Sequence, residues 1–372
     1  MTDVAKRVRE AAERLVESGA ETGLQVAVYR RGEPLADVAA GVADPATGRP
    51  VASGTLVYGT STGKGVTSAV VHVLAERGVF GYDTPIAELW PEFGAHGKDK
   101  ATIRHALTHT AGVPGLPADT TPEDLCDWDK MVAAVAAAKP WWEPGTKTGY
   151  HPQSYGYLIG EIVRRAVGKP ISQVLREEIA LPLGVDGELF FGVPAAELGR
   201  VAVLDEVPMD MGEMPDLSEI PFFRVVDGYT AAPMAALPSA EFGNRTDVLT
   251  SDIPAGGTFS ARAIARMYAA LMDEVDGVRL ISPERLREVT TPAVSGTDEV
   301  IGFPVTRGLG YDIGFFGPLD GPTLFGMAGS GGTAAYADTA TGVVIAVTKN
   351  RVSSGDYSTF NHLGEVVRDA LA

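Results

Sequence analysis

The two ends of the chain share one pattern of apolar and polar positions. Apolar residues recur at helical spacing from Val4 to Val16, and again from Phe360 to Leu371. Along the chain, short β-prone runs follow the first helix and precede the last one, at residues 24–29, 35–42, 311–316, 334–338 and 343–348. The pattern predicts an α+β fold, in which one antiparallel sheet is built from both chain ends and is flanked by the terminal helices.

The middle of the chain has a mainly helical pattern. The helices that it predicts lie near 62–77, 101–109, 129–138, 154–167, 171–179, 260–273 and 283–290. Residues 183–255 are rich in Pro, Met and Gly and predict a long irregular insertion. We therefore expect an α/β sandwich lobe from 1–60 and 291–372, a mainly helical lobe from 61–290, and an active site in the cleft between them.

Composition restricts the possible partners and compartment. The 372 residues carry a formal net charge of −17, which disfavours nucleic acid and anionic membrane as partners. Cys126 is the only cysteine, so no disulfide can form within the chain. The first helix lacks the apolar region of a signal peptide, and no apolar run reaches the roughly 18 residues of a membrane span. We expect a cytoplasmic protein with no membrane contact, either a monomer or a weak homo-oligomer.

Ser61 and Lys64 form the most informative motif. They lie three positions apart at the start of a predicted helix, so Lys64 can reach back towards the serine hydroxyl. A serine is a weak nucleophile until a base takes its proton, and a desolvated lysine can be that base. N–H groups at the helix N-terminus also favour negative charge near Ser61. In most Ser-x-x-Lys sequences the serine caps a helix and the lysine is solvated, so a catalytic role for Ser61 and Lys64 needs support from other motifs in the chain.

Tyr150 is a second candidate for the same site. It follows the stretch from Trp141 to Thr146 and lies on a loop just before the predicted helix 154–167. Its phenolate, favoured by a nearby Lys64 ammonium, could act as a base or proton shuttle. The alternative is a half-buried tyrosine with its hydroxyl bonded to the backbone, and for this residue alone that alternative is the better one.

The segment 325–333 is rich in glycine and leads into a predicted strand. Glycines at this density let a substrate approach the backbone closely, and a strand edge there could offer an N–H group to a carbonyl oxygen. The alternative is a simple hairpin turn.

His105 and His109 lie four residues apart on a predicted helix, which raises the possibility of a zinc site. No carboxylate follows at the spacing of a metalloprotease helix, so we reject a metal and expect both rings to make structural hydrogen bonds.

Together these motifs resemble the serine β-lactamase and penicillin-binding-protein superfamily. The chain most resembles the class C-like branch, which includes the family VIII carboxylesterases and related transesterases. The resemblance spans roughly residues 20–350 and rests on Ser61-x-x-Lys64, Thr102-Ile103-Arg104-His105, Thr108-His109-Thr110-Ala111-Gly112, Trp142-x-Pro144-Gly145-Thr146 before Tyr150, Pro182-Leu183-Gly184, and Gly326-x-x-Gly329-x-Gly331-Gly332.

The resemblance implies a serine hydrolase that acts through an acyl-enzyme. Ser61 would be the acylated nucleophile, and Lys64 and Tyr150 its general-base pair. The backbone N–H groups of Ser61 and Ser330 would form the oxyanion hole. No cofactor and no metal are implied. The residues from which we expect contacts with a small acyl substrate are Met327, Gly329, Trp141, Trp142 and His151.

Two positions depart from the family pattern. Pro152 stands where the second motif usually has Asn or Ser, and Met327 stands where the third usually opens with Lys or His. The groups that are lost help to bind the amide and the carboxylate of β-lactams. We therefore expect carboxylic ester or thioester substrates, with weak or no β-lactamase activity.

Several alternatives remain open. The acyl group could pass to a biosynthetic acceptor rather than to water, which would make the protein an acyltransferase or transesterase. The protein could also be a β-lactamase or a D-amino-acid peptidase, or an inactive binding module on the same fold. Residues 59–63 also match the G-x-S-x-G elbow of α/β-hydrolases, but too few strand–helix units precede them and His362 is the only late histidine.

Overall fold

The computed structural model describes residues 2–206, 220–314 and 321–372. The strands of these residues are β1 Gly23–Arg30, β2 Glu33–Asp44, β3 Arg49–Pro50, β4 Val57–Tyr58, β5 Leu116–Pro117, β6 Leu189–Phe190, β7 Asp205–Glu206, β8 Val225–Val226, β9 Tyr229–Thr230, β10 Thr258–Phe259, β11 Val294–Thr297, β12 Pro304–Arg307, β13 Asp312–Ile313, β14 Leu324–Ala328, β15 Ala334–Asp338, β16 Val343–Lys349 and β17 Arg351–Val352.

One large antiparallel sheet is built from both chain ends, as the sequence predicts. Among the described residues it has nine strands in the order β11-β12-β13-β14-β15-β16-β1-β2-β3. The first strand of the chain therefore pairs with β16 near the C-terminus, with Val26 opposite Val347. Short runs of β-branched and small apolar residues favour these central strands, because both of their faces are buried.

The helices of the described residues are α1 Asp3–Glu17, α2 Gly63–Glu76, α3 Ile86–Leu89, α4 Ile103–Leu107, α5 Pro122–Leu125, α6 Trp128–Ala137, α7 Ser154–Val167, α8 Ile171–Leu175, α9 Ala240–Gly243, α10 Thr246–Thr250, α11 Ala261–Met272, α12 Pro283–Thr290 and α13 Ser358–Leu371. The terminal helices α1 and α13 pack together on one face of the sheet and close a core with Val26, Tyr336 and Ile345. The other face meets α11, and beyond it α2 and α7. Helix α2 is buried from Gly63 to Ala75, so it lies at the centre of the molecule.

Several strands have no counterpart in the sequence prediction, among them β11, β12 and β14 of the large sheet. β11 and β12 form a largely exposed hairpin without apolar alternation, so hydrophobic periodicity gives no signal for them. β14 contains Gly326, and a glycine within a strand usually weakens it. A Cβ at Gly326 would lie 2.3 Å from the Ala335 carbonyl oxygen and 2.6 Å from the Tyr336 ring. The glycine is therefore needed for the close pairing of β14 with β15.

Some predicted boundaries are wrong by a few residues. The helix expected at 101–109 ends at Leu107, because His109 has a φ of 58° in the left-handed region. The helix expected at 171–179 ends as an α-helix at Leu175 and continues as a π-turn. The strand expected at 311–316 covers Asp312–Ile313, and residues 315–316 lie outside the described residues. The described parts of 183–255 contain only short strands and helices.

Among the described residues, none of the helices has the length and apolar character that crossing a membrane requires.

Candidate active site

Ser61 lies on a tight turn at the start of α2. The 3₁₀ turn Thr60–Thr62 leads directly into the helix, and Thr60 has a φ of 45°, which is unusual for a β-branched residue. Gly63 lets the helix start pack against another loop, because a Cβ there would lie 2.1 Å from the Gly256 carbonyl oxygen. The turn is therefore held in a strained backbone conformation by its surroundings, and the Ser61 side chain stays partly accessible.

Lys64 is in direct contact with the Ser61 hydroxyl. Its Nζ lies 2.9 Å from Ser61 Oγ and donates a second hydrogen bond of 2.9 Å to the Ala255 carbonyl oxygen. The side chain is fully buried, and this burial lowers the pKa of Lys64 to about 7, against a smaller opposing effect of Asp312. A large fraction of the amine is therefore unprotonated at neutral pH, which a general base requires.

Tyr150 lies beside this pair. The Lys64 Nζ is 5.1 Å from the centre of the Tyr150 ring. Burial raises the pKa of Tyr150 well above its usual value, and a hydrogen bond with Ser61 opposes this rise. In the free protein, then, Tyr150 is a neutral phenol beside a partly neutral lysine. This arrangement favours Lys64 as the group that first takes the proton, and Tyr150 as a relay.

A buried ion pair fixes the backbone at Tyr150. Asp298 accepts hydrogen bonds from the Tyr150 N–H at 3.0 Å and from Arg307 at 2.7 Å. Arg307 also donates to the Thr148 hydroxyl, and its guanidinium carbon lies 5.9 Å from the Tyr150 ring centre. Sequence reasoning missed Asp298 and Arg307, because single charged residues in an irregular segment give no periodic or motif signal.

His105 and His109 make structural hydrogen bonds, as expected. His105 Nδ1 accepts from the Thr102 N–H at 3.2 Å and so caps α4. His109 Nδ1 accepts from the His151 N–H at 3.1 Å, and its ring lies 5.0 Å from that of Tyr150. Both histidines therefore support the loops of the site. Among the described residues no group of His, Cys, Asp and Glu could hold a metal ion.

The glycine-rich segment brings Ser330 to the Ser61 turn. A Cβ at Gly329 would lie 2.2 Å from Thr60 Oγ1 and 2.4 Å from the Gly59 carbonyl oxygen, so only glycine fits there. The Thr62 hydroxyl donates to the Thr333 carbonyl oxygen at 2.8 Å and ties α2 to the same segment. Within the described part of the chain, no acceptor takes the Ser330 N–H. The Ser330 N–H therefore stays a candidate donor for an oxyanion hole.

Several of the residues predicted to contact the substrate are buried. Trp142 and His151 are buried, and their ring nitrogens contact the backbone of Thr110, Val113 and Gly149. Met327 is 3 % exposed and packs near Gly65 of α2.

Trp141, in contrast, is half-buried. It belongs with Tyr150, Phe222 and Ile301 to a small apolar cluster around Trp142, which we name the tyrosine cluster. The part of this cluster that is partly exposed gives an apolar group a surface to bind beside Tyr150.

A serine, a lysine and a tyrosine brought together at the start of a buried helix, in a fold with a large antiparallel sheet and many helices, are typical of the serine β-lactamase and penicillin-binding-protein class. The chain belongs to the Beta-lactamase family, whose model matches residues 8–365. It is 34 % identical to the esterase/β-lactamase LipL of Mycobacterium tuberculosis, over 94 % of this chain and 83 % of that protein.

Two solved structures share the fold over nearly their whole length. A family VIII carboxylesterase superposes with a TM-score of 0.87 at 31 % identity, covering 99 % of this chain and 97 % of the other. A penicillin-binding-protein homologue from Caulobacter crescentus superposes with a TM-score of 0.85 at 34 % identity, covering 99 % and 98 %. These similarities confirm the predicted superfamily and fold.

Proposed function

We propose that the protein is a serine hydrolase that cleaves carboxylic esters or thioesters through an acyl-enzyme on Ser61. The observation that carries this proposal is the contact between Lys64 Nζ and Ser61 Oγ at 2.9 Å, made by a lysine whose pKa burial lowers to about 7. A nucleophile in contact with a base of matched pKa is the requirement for serine catalysis at neutral pH. The names of the similar proteins, an esterase/β-lactamase and a carboxylesterase, support ester substrates.

In the acylation step, neutral Lys64 takes the Ser61 proton while the serine oxygen attacks the substrate carbonyl carbon. The carbonyl oxygen becomes negative and accepts hydrogen bonds from the Ser61 and Ser330 N–H groups. When the bond to the leaving group breaks, the proton passes from Lys64, directly or through the Tyr150 hydroxyl, to the departing alkoxide or thiolate, which leaves as the alcohol or thiol. In the second step, water attacks the acyl carbon while neutral Lys64 takes a proton from it. The bond to Ser61 Oγ then breaks, the acid leaves, and the proton returns to restore the Ser61 hydroxyl.

The local chemistry favours a small acyl substrate without a carboxylate. Met327 is buried and uncharged where the family pattern has a cation, so this position offers a substrate carboxylate no charged partner, and burying a carboxylate without one is costly. The tyrosine cluster offers Trp141, Phe222 and Ile301 to an apolar group beside Tyr150. The net charge of −17 fits a small-molecule substrate better than nucleic acid. A cytoplasmic location and a monomer or weak homo-oligomer remain part of the proposal.

The test is the hydrolysis of p-nitrophenyl butyrate by the wild type and by Ser61→Ala. We expect Ser61→Ala to lose essentially all turnover while it keeps the circular dichroism spectrum of the wild type. Ser295→Ala is the matched control, because Ser295 is exposed on β11 and should keep full activity. Wild-type turnover by Ser61→Ala would show that the nucleophile is wrong.

β-Lactam hydrolysis is the second candidate, because LipL is named both an esterase and a β-lactamase. A comparison of kcat/KM for p-nitrophenyl butyrate and for a chromogenic cephalosporin separates the two. We expect the ester to be strongly preferred, since Met327 and Pro152 lack the polar groups that β-lactams use. Adding alcohol or amine acceptors to the same assay shows whether the acyl group passes to water or to another acceptor.

A further inference from the structure

Asp312 lies beside the strand that leads to the oxyanion segment. In the register of β13 and β14, Asp312 is directly opposite Gly326. Opposed residues share a face of a sheet, and so do residues two apart on one strand, so Asp312 and Ala328 lie on the same face. Ala328 brings only a methyl group and is two residues before Ser330. A carboxylate is therefore the polar group that borders this end of β14.

Asp312 shares its cationic neighbour, Arg307, with a second carboxylate. Arg307 is buried and donates at 2.7 Å to Asp298, which is itself fully buried. Asp312 lies 3.5 Å from Arg307 Nε, which has no hydrogen-bond partner among the described residues. One guanidinium thus faces two carboxylates, so the three groups together carry one excess negative charge, and 38 % of the Asp312 side chain is exposed.

The catalytic groups respond to this charge. Asp312 raises the pKa of Lys64 and that of Tyr150, in each case as a smaller effect beside that of burial. Arg307 links these groups in space, because its Nε lies 3.5 Å from Asp312 and its guanidinium carbon lies 5.9 Å from the centre of the Tyr150 ring. Its own pKa is raised by burial, against the effects of Arg307 and Lys64, so it loses its charge at a higher pH than an ordinary aspartate.

We propose that Asp312 and the adjoining end of β14 form an anionic subsite, which binds a cationic ammonium group on the ester substrate and repels a carboxylate. This proposal rests on the proposed esterase function and names the substrate class of that site. A substrate cation at the subsite would gain Coulomb attraction in a partly desolvated cleft, and a carboxylate would lose as much.

The experiment compares esters that differ only in charge. One series is butyrylthiocholine, its neutral tert-butyl isostere and a carboxylate analogue, so that the charge is on the leaving group. A second series of p-nitrophenyl esters places the same three groups on the acyl chain. For the wild type we expect kcat/KM in at least one series to fall about tenfold from cation to neutral ester, and about tenfold again to the anion. High salt should reduce both ratios.

Asp312→Asn should reduce these ratios to within about threefold, while Asp312→Glu should keep them. The matched control is Asp186→Asn, which removes a half-exposed aspartate in a similarly loose contact, 3.7 Å from Arg176, on the helical lobe. Asp186→Asn should show the same kcat/KM ratios between cationic, neutral and anionic esters as the wild type. The neutral ester reports in each variant whether the catalytic groups are intact.

If the wild type hydrolyses the neutral esters but its kcat/KM does not depend on substrate charge in either series, the subsite proposal is wrong and the proposed esterase function stands. Discrimination that survives in Asp312→Asn would also overturn the subsite alone. If the wild type hydrolyses none of the esters, the proposed function fails and the subsite fails with it.

Discussion

Lys64→Met should make the protein more stable at neutral pH while it removes catalysis. Burial lowers the pKa of Lys64 from 10.5 to about 7. A difference of about 3.5 pKa units corresponds to about 5 kcal/mol at about 1.4 kcal/mol per unit. This is the cost of keeping the ammonium in its fully buried position rather than in the unfolded chain.

The sign of the pH dependence follows from proton binding. Between about pH 7 and 10.5 the folded chain binds fewer protons at Lys64 than the unfolded chain does. The free energy of unfolding therefore rises with pH across this window. Below about pH 7 the folded protein holds a buried ammonium and bears the full cost. Above about pH 10.5 both states hold a neutral amine and the cost has gone.

Methionine has a similar length and needs no solvation, so it removes this cost. It also removes the contacts of Lys64 with Ser61 Oγ and with the Ala255 carbonyl oxygen, each worth about 1 kcal/mol. The net effect at pH 7 is then a gain of about 3 kcal/mol for Lys64→Met. Towards pH 10 the gain should shrink and then reverse, because only the lost hydrogen bonds remain.

Denaturant unfolding from pH 6 to 10 measures this difference. Lys6→Met is the control for the loss of one positive charge, because Lys6 is exposed on α1. If Lys64→Met is no more stable than the wild type at pH 7, or if the difference does not change with pH, then Lys64 does not have a lowered pKa. Its assignment as the neutral base would fail as well.

Three further predictions concern the catalytic groups. The kcat/KM for a neutral ester should fall below about pH 7, because protonated Lys64 cannot take the Ser61 proton; a flat profile down to pH 5 would contradict this. Lys64→Ala and Tyr150→Phe should each cost about 10²–10⁴ in rate, and the double variant little more than the worse single one, whereas multiplying losses would show independent roles. Gly329→Ala should lower kcat strongly because its Cβ would lie 2.2 Å from Thr60 Oγ1, whereas Gly331→Ala, with no atom closer than 3.8 Å, should stay near wild-type activity.

The sequence predicts the parts of this protein that repeat a local pattern. The terminal helices and the central strands have clear apolar periodicity, and α7 and α12 have the bounds expected of them. Ser61, Lys64 and Tyr150 are found through motif spacing, and the structure brings the three together. Residues whose roles depend on one tertiary contact give no such signal. Asp298 serves Tyr150 through a hydrogen bond to a residue 148 positions away.

The substrate contacts show where motif reasoning loses precision. His151 follows Tyr150 directly and Trp142 belongs to the motif before it, yet both are buried with their ring nitrogens against the backbone. The direction of a loop side chain depends on what packs against it. Here the Trp142 ring N–H donates to the Thr110 carbonyl oxygen, and the His151 ring contacts the Gly149 carbonyl oxygen. Asp312, in contrast, is brought opposite Gly326 by strand pairing, which spacing along the chain cannot predict.

Trapping the acyl-enzyme tests the central claim most directly. The wild type, mixed with a neutral thioester and quenched in acid during turnover, should show a mass increase equal to the acyl group. Peptide mapping should place that group on the Ser61 hydroxyl, and Ser61→Ala should show no increase. Ester consumption without an adduct at Ser61, or an adduct on another residue, would contradict the proposed mechanism.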